Sequence, residues 1–150
     1  MREPAVATRE GFHRVVVAVD GSVVSLRAAD RAARIAREDH AELFAVYVVP
    51  TPPSEVPGEL ADYYEQAKEN ARVWLTGVET AATEHGVGLR TEILVGAVSV
   101  VDAVLGFAES IDADLIVTGT RGRTASSRLR IGSVASGLVE YAKSAVLVIR

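Results

Sequence analysis

Arg14-Val15-Val16-Val17-Ala18-Val19-Asp20-Gly21-Ser22 decides the fold. The β-branched run that opens it suits a strand buried on both faces. Asp20-Gly21-Ser22 breaks the run, and the Ser22 hydroxyl is placed to cap a helix. Beyond it Leu26, Ala29, Ala33 and Ala36 fall on one stripe of a 3.6-residue period, while Arg27, Asp30, Arg31, Arg34 and Arg37 fall on the opposite face. Strand, tight turn and amphipathic helix are the unit from which parallel sheets are built.

The unit recurs along the chain. Leu43–Val49 reads as a second strand, and Pro50-Thr-Pro-Pro-Ser-Glu-Val-Pro-Gly58 as a loop, since its prolines suit neither a helix interior nor a central strand. A long helix follows, with Leu60, Tyr64, Ala67, Ala71, Trp74 and Val78 on one stripe, and Gly86-Val87-Gly88 ends it. Leu89–Val95 is a third strand. Ser99 is placed to cap a helix carrying Val100, Val104, Phe107 and Ile111. Asp114–Thr118 is a fourth strand, Gly119–Gly132 a long loop, and a helix then runs to about Lys143 before a last strand, Ala145–Ile149. Strands alternating with helices predict an α/β fold, a single doubly wound domain with a five-stranded parallel sheet and helices on both faces.

Bulk properties agree. The chain has 150 residues, 49% of them hydrophobic and 24% charged. A domain of this length buries about 70% of its unfolded surface without staples. With no cysteine, disulfides and thiolate metal sites are excluded. A net charge of −4 does not invite nucleic acid. Met1–Gly11 lacks the apolar core of a signal peptide, and no apolar run reaches membrane-spanning length. The expectation is a cytoplasmic domain over 13–150 behind a flexible tail over 1–12, with neither nucleic acid nor membrane as partner.

The segment richest in chemistry is Gly119-Thr-Arg-Gly-Arg-Thr-Ala-Ser-Ser-Arg-Leu-Arg-Ile-Gly-Ser133. It joins a buried strand to a helix, and in open parallel sheets ligands lie outside the carboxyl ends of the strands. Helix N-termini there offer unpaired N–H groups and partial positive charge. Gly119 and Gly122 would let the backbone approach a ligand closely and adopt positive φ. Ser133 adds a hydroxyl at the helix start. Arg121, Arg123, Arg128 and Arg130 bring positive charge with no acid between Gly119 and Ser133. A phosphate chain is the anion such a segment suits.

The spacing Gly119, two residues, Gly122, nine residues, Gly132-Ser133 resembles the nucleotide signature of the universal stress protein family, G-2x-G-9x-G-[S/T]. Val15–Ser22 is similar to that family's first strand and acidic turn, Ala113–Gly119 to its fourth strand, and Gly132-Ser133-Val134 with Ala145–Ile149 to its closing helix and strand. The resemblance runs from about residue 13 to 150. It implies a sheet ordered 3-2-1-4-5 and, in one subset, bound ATP, with or without Mg²⁺. It puts the topological switch point between strands one and four, where Asp20 and Gly119 stand. Asp20, with Ala18 and Val19 before it, and the Val48 backbone would meet the adenine. Gly119 would lie near the ribose, and Gly122, Gly132, Ser133 and Val134 at the phosphates, with Thr120, Arg121 and Arg123 in the same segment. Two positions depart from the pattern. Ala135 replaces a frequent Ser or Thr, removing a phosphate hydroxyl, and Ala145 replaces a proline.

Other chemistries find little support. There is no GxxxxGK[ST] motif. His13, His40 and His85 match no metal-ligand spacing and read as surface or strand-edge residues. No His lies near Ser99 or Ser126-Ser127 to form a triad. Nothing visible orients a water for phosphoryl transfer. The expected function is therefore a nucleotide-binding sensor or signalling module without efficient turnover. The alternatives are a slow ATPase or autophosphorylating protein using Thr124, Ser126 or Ser127, and an AMP- or cyclic AMP-binding protein. A nucleotide-free dimerisation module is a further alternative, against which the intact glycines argue. The resemblance also implies a homodimer through the apolar edge strand 145–149.

Overall fold

The computed structural model of the chain describes residues 10–52, 57–120 and 131–150. Along them the elements run β1 (Arg14–Val19), α1 (Val23–Asp39), β2 (Glu42–Pro50), α2 (Pro57–Glu84), β3 (Leu89–Ala97), α3 (Val100–Ser110), β4 (Leu115–Gly119), α4 (Ser133–Tyr141) and β5 (Ala145–Ile149). The strands form one sheet in the order β3-β2-β1-β4-β5, and every pairing is parallel. This is the doubly wound α/β architecture with strand order 3-2-1-4-5.

Successive residues of a strand point to opposite faces, so a strand covered on both sides is apolar throughout. Val15, Val17 and Val19 of β1 join one core with Leu43, Ala45, Tyr47 and Val49 of β2 and with α1 and α2. Val16 joins Phe44, Val46 and Ile116 in the other core, beneath α3 and Leu138 of α4. In α1 the buried face is mainly alanine, Ala28, Ala29, Ala32, Ala33 and Ala36. Leu26 is 37% exposed, so the expected stripe is rotated away from it. Small side chains let α1 lie close to the sheet.

Several boundaries differ from the sequence reading, each for a local reason. Pro57 opens α2, because a proline is tolerated in the first helical turn, where its missing N–H would have no partner. Pro50 closes β2, where the β2–β3 register shifts. Asp114 lies just before β4, and its carboxylate accepts the N–H groups of His13 at 2.9 Å and Arg14 at 2.9 Å. The stripe of α2 includes Leu75 and Ala82 beside Ala71 and Val78. The last helix ends at Tyr141. Phe12, at the end of the expected tail, packs against the core, and its N–H donates to Asp39 at 2.8 Å.

Of the histidines, His13 and His40 are exposed. His40 ends α1 with φ 54°, in the left-handed conformation. His85 departs from a surface reading: it is half-buried and contacts Asp30 of α1 at 2.8 Å.

Candidate functional site

The sheet opens at its carboxyl end. The β1–β4 register runs from Val15↔Leu115 to Val17↔Val117 and stops, whereas β1 stays registered with β2 to Val19↔Tyr47 and β4 with β5 to Gly119↔Ile149. Ala18 and Val19 therefore part from Thr118 and Gly119. That split lies where strand order reverses, the place at which parallel sheets form a crevice.

Asp20 and Gly21 stand at the end of β1, in a turn knit by its own side chains. The Asp20 carboxylate accepts the N–H of Ser22 at 2.9 Å. The Ser22 hydroxyl caps α1 by accepting the N–H of Ser25 at 3.0 Å. The hydroxyl of Ser25, only 3% exposed, donates to the Ser22 carbonyl at 2.9 Å. Val48 lies one residue past the Val19↔Tyr47 pair, as Asp20 does, so the two stand side by side at adjacent strand ends.

Gly119 and Thr120 stand at the end of β4. A positive φ is absent at Gly119, so close approach is what the residue provides. A β-carbon there would lie 2.6 Å from Cγ1 of Val24 on α1. The Thr120 N–H donates to the Ile149 carbonyl at 2.7 Å, and the Thr120 carbonyl accepts the N–H of Gly132 at 2.6 Å. Gly132 is thereby joined to the strand end, and Ser133 and Val134 follow as the first residues of α4. Arg121, Gly122, Arg123, Thr124, Ser126, Ser127, Arg128 and Arg130 lie outside the described residues.

The start of α4 differs chemically from those of α1 and α3. Ser22 and Ser99 cap those helices with their hydroxyls. Gly132 caps α4 with no side-chain hydrogen bond. The Ser136 N–H bonds to the Gly132 carbonyl, so the N–H groups of Ser133, Val134 and Ala135 have no intrahelical acceptor. Ser133 is exposed. Ala135 is 2% exposed, so a hydroxyl at that position would be buried as its methyl is.

The structure thus brings Ala18, Val19, Asp20, Val48, Gly119, Thr120, Gly132, Ser133 and Val134 to one end of the sheet. Three neighbours escaped the sequence reading. Gly21 has φ 86°, and a β-carbon on it would fall within 2.8 Å of three indole atoms of Trp74. Val24 meets Gly119. The Asp-Gly pair signals a turn, but no local pattern links that turn to Trp74.

Residues 11–150 match the model of the universal stress protein family. The chain is similar to Universal stress protein MJ0531 of Methanocaldococcus jannaschii, at 40% identity over 144 residues, 93% of this chain and 82% of that protein. The structure of universal stress protein UspA from Lactobacillus plantarum is similar with a TM-score of 0.75 and 29% identity, covering 93% of this chain and 99% of that one. A crystal structure of a universal stress protein in complex with cAMP is similar with a TM-score of 0.71 and 28% identity, covering 93% and 98%. The sheet order agrees with these likenesses, and the chain belongs to the universal stress protein family.

Proposed function

We propose that this protein binds an adenine nucleotide in the crevice between β1 and β4 and acts as a sensor or signalling module. One observation carries the reading. The glycine-capped start of α4, with three N–H groups lacking intrahelical acceptors, is held by hydrogen bond to the strand end at Thr120. A helix start of this kind favours phosphate. The similar structure in complex with cAMP supports an adenine ligand.

In this reading Ala18, Val19, Asp20 and the Val48 backbone receive the base, and Gly119 and Thr120 border the ribose. Ser133 and Val134 hold phosphate oxygens through their N–H groups, with Gly132 leaving room. Arg121, Gly122 and Arg123 complete the phosphate end. ATP is the leading ligand, and any Mg²⁺ arrives held by phosphate oxygens. Cyclic AMP is a second reading, favoured by the similar structure in complex with cAMP.

The test is to denature purified protein and chromatograph the released small molecules. Adenine nucleotide in stoichiometric amount is expected. Protein that releases none, and shows no heat with ATP, AMP or cyclic AMP, would overturn the reading.

A further inference from the structure

We propose that Trp74 is a positioning residue for the adenine end of the site, acting through Gly21 and Tyr47; the inference rests on the nucleotide reading above. Trp74 is the chain's single tryptophan and sits on α2. Its ring stacks on Tyr47, with centroids 5.5 Å apart and planes inclined by 26°. Its indole also occupies the space a β-carbon on Gly21 would need. Only glycine allows that approach, and only glycine readily holds φ 86° there.

Two residues that Trp74 touches are the immediate neighbours of the two proposed base-contacting positions. Gly21 follows Asp20, and Tyr47 precedes Val48. Tyr47 is 8% exposed and pairs with Val19 across the sheet. One large aromatic surface therefore backs both the β1–α1 turn and the end of β2. An indole is stiff and loses little freedom when packed, so it sets the spacing between the Asp20 carboxylate and the Val48 backbone. A flexible aliphatic side chain would let both segments shift, and small misplacements of binding groups are costly.

The experiment measures binding of adenosine, AMP and ATP by calorimetry for the full chain, Trp74→Phe and Trp74→Leu, below the melting temperature of each. Trp74→Leu should weaken all three ligands by one common factor of about ten or more. The ratio between ATP and adenosine should stay constant, because the phosphate end is untouched. Trp74→Phe keeps an aromatic face and should recover most of the loss. In the unaltered protein, saturating adenosine should change Trp74 emission, a readout that needs no variant to fold. Wild-type protein that binds while folded Trp74→Leu binds equally well overturns this inference alone. So does a loss that grows with phosphate number, or emission that stays constant at saturation. Wild-type protein that binds none of the three overturns the nucleotide reading, and this inference with it.

Discussion

The N–H of Gly132 donates to the carbonyl of Thr120 at 2.6 Å, while the N–H of Thr120 donates to the carbonyl of Ile149 at 2.7 Å. One residue thus ties the end of β4, the start of α4 and the edge strand β5 together. The proposed phosphate end is anchored at this knot. Anything that displaces β5 acts on Thr120 directly, and through it on Gly132.

Gly132→Ser should stabilise the fold and weaken nucleotide binding at once. Gly132 has φ −64° and ψ 163°, ordinary extended backbone that any residue adopts. A serine there can cap α4, worth about a few tenths of a kcal/mol over glycine. Its hydroxyl would accept the Ala135 N–H, as the Ser22 and Ser99 hydroxyls do at the equivalent place in their helices, and its side chain would fill the room that Gly132 leaves for phosphate. Denaturant melts should show equal or higher stability, and calorimetry roughly tenfold weaker ATP, about 1.4 kcal/mol. Unchanged ATP affinity would remove the α4 start from the site.

Gly119→Ala should destabilise by about 1–3 kcal/mol through overpacking. The added carbon would lie 2.6 Å from Val24 Cγ1. Val24→Ala should restore much of that loss in the double variant, a coupling that urea melts of the full cycle measure. Additive losses would show that Gly119 is not there to admit Val24.

The legible parts of this chain were the local ones. Ser22 and Ser99 announce their helices because a cap bonds within three residues. The apolar strands announce two-sided burial because alternation sends Val15 and Val16 to opposite cores. What was not legible depends on distant partners. Asp114 looks like the first residue of a strand until His13 and Arg14 are seen donating to it. Gly21 looks like any turn glycine until Trp74 is found against it. Pro57 reads as loop because a proline's strongest local meaning is interruption, yet in the first helical turn its missing N–H has no partner to lose. The candidate site follows the same division: which residues stand at strand ends is readable locally, and what packs behind them is not.

Asp20→Asn and Asp20→Ala should separate two roles. The Asp20 carboxylate accepts the Ser22 N–H at 2.9 Å. Asparagine keeps an acceptor oxygen and should leave stability nearly unchanged, while alanine should cost about 0.5–1.5 kcal/mol. If the carboxylate also holds the base, both variants should bind adenosine more weakly. Asparagine with wild-type adenosine affinity would confine Asp20 to the turn.

With ATP and Mg²⁺, turnover should be far slower than the enzyme median of about 10 s⁻¹. The arginines of the 121–130 segment supply charge, but phosphoryl transfer also needs an oriented nucleophile. Phosphate release at ordinary enzyme rates, abolished by Gly132→Ser, would favour an ATPase instead.

The protein should be a homodimer paired through β5. That strand lies at the sheet edge, and its sequence Ala-Val-Leu-Val-Ile is apolar throughout. An unblunted edge of this kind invites another strand, and a two-fold partner is the simplest cover. Nearby, Val139 and Tyr141 of α4 are 54% and 64% exposed, apolar surface that the same contact could cover. The test depends on which amides face outward. The Ile149 carbonyl points to β4, because it accepts from Thr120. A strand residue's N–H and C=O point the same way and alternate along the chain, so Leu147 also faces β4, while Val146 and Val148 face the open edge. Proline at Leu147 would therefore break the protein's own ladder, whereas Val148→Pro removes a donor only from the outer side. Light scattering should give a dimer for the unaltered protein and for Val148→Ala, and a folded monomer for Val148→Pro. A monomeric unaltered protein at high concentration would refute the pairing, and so would a folded Val148→Pro that remains dimeric.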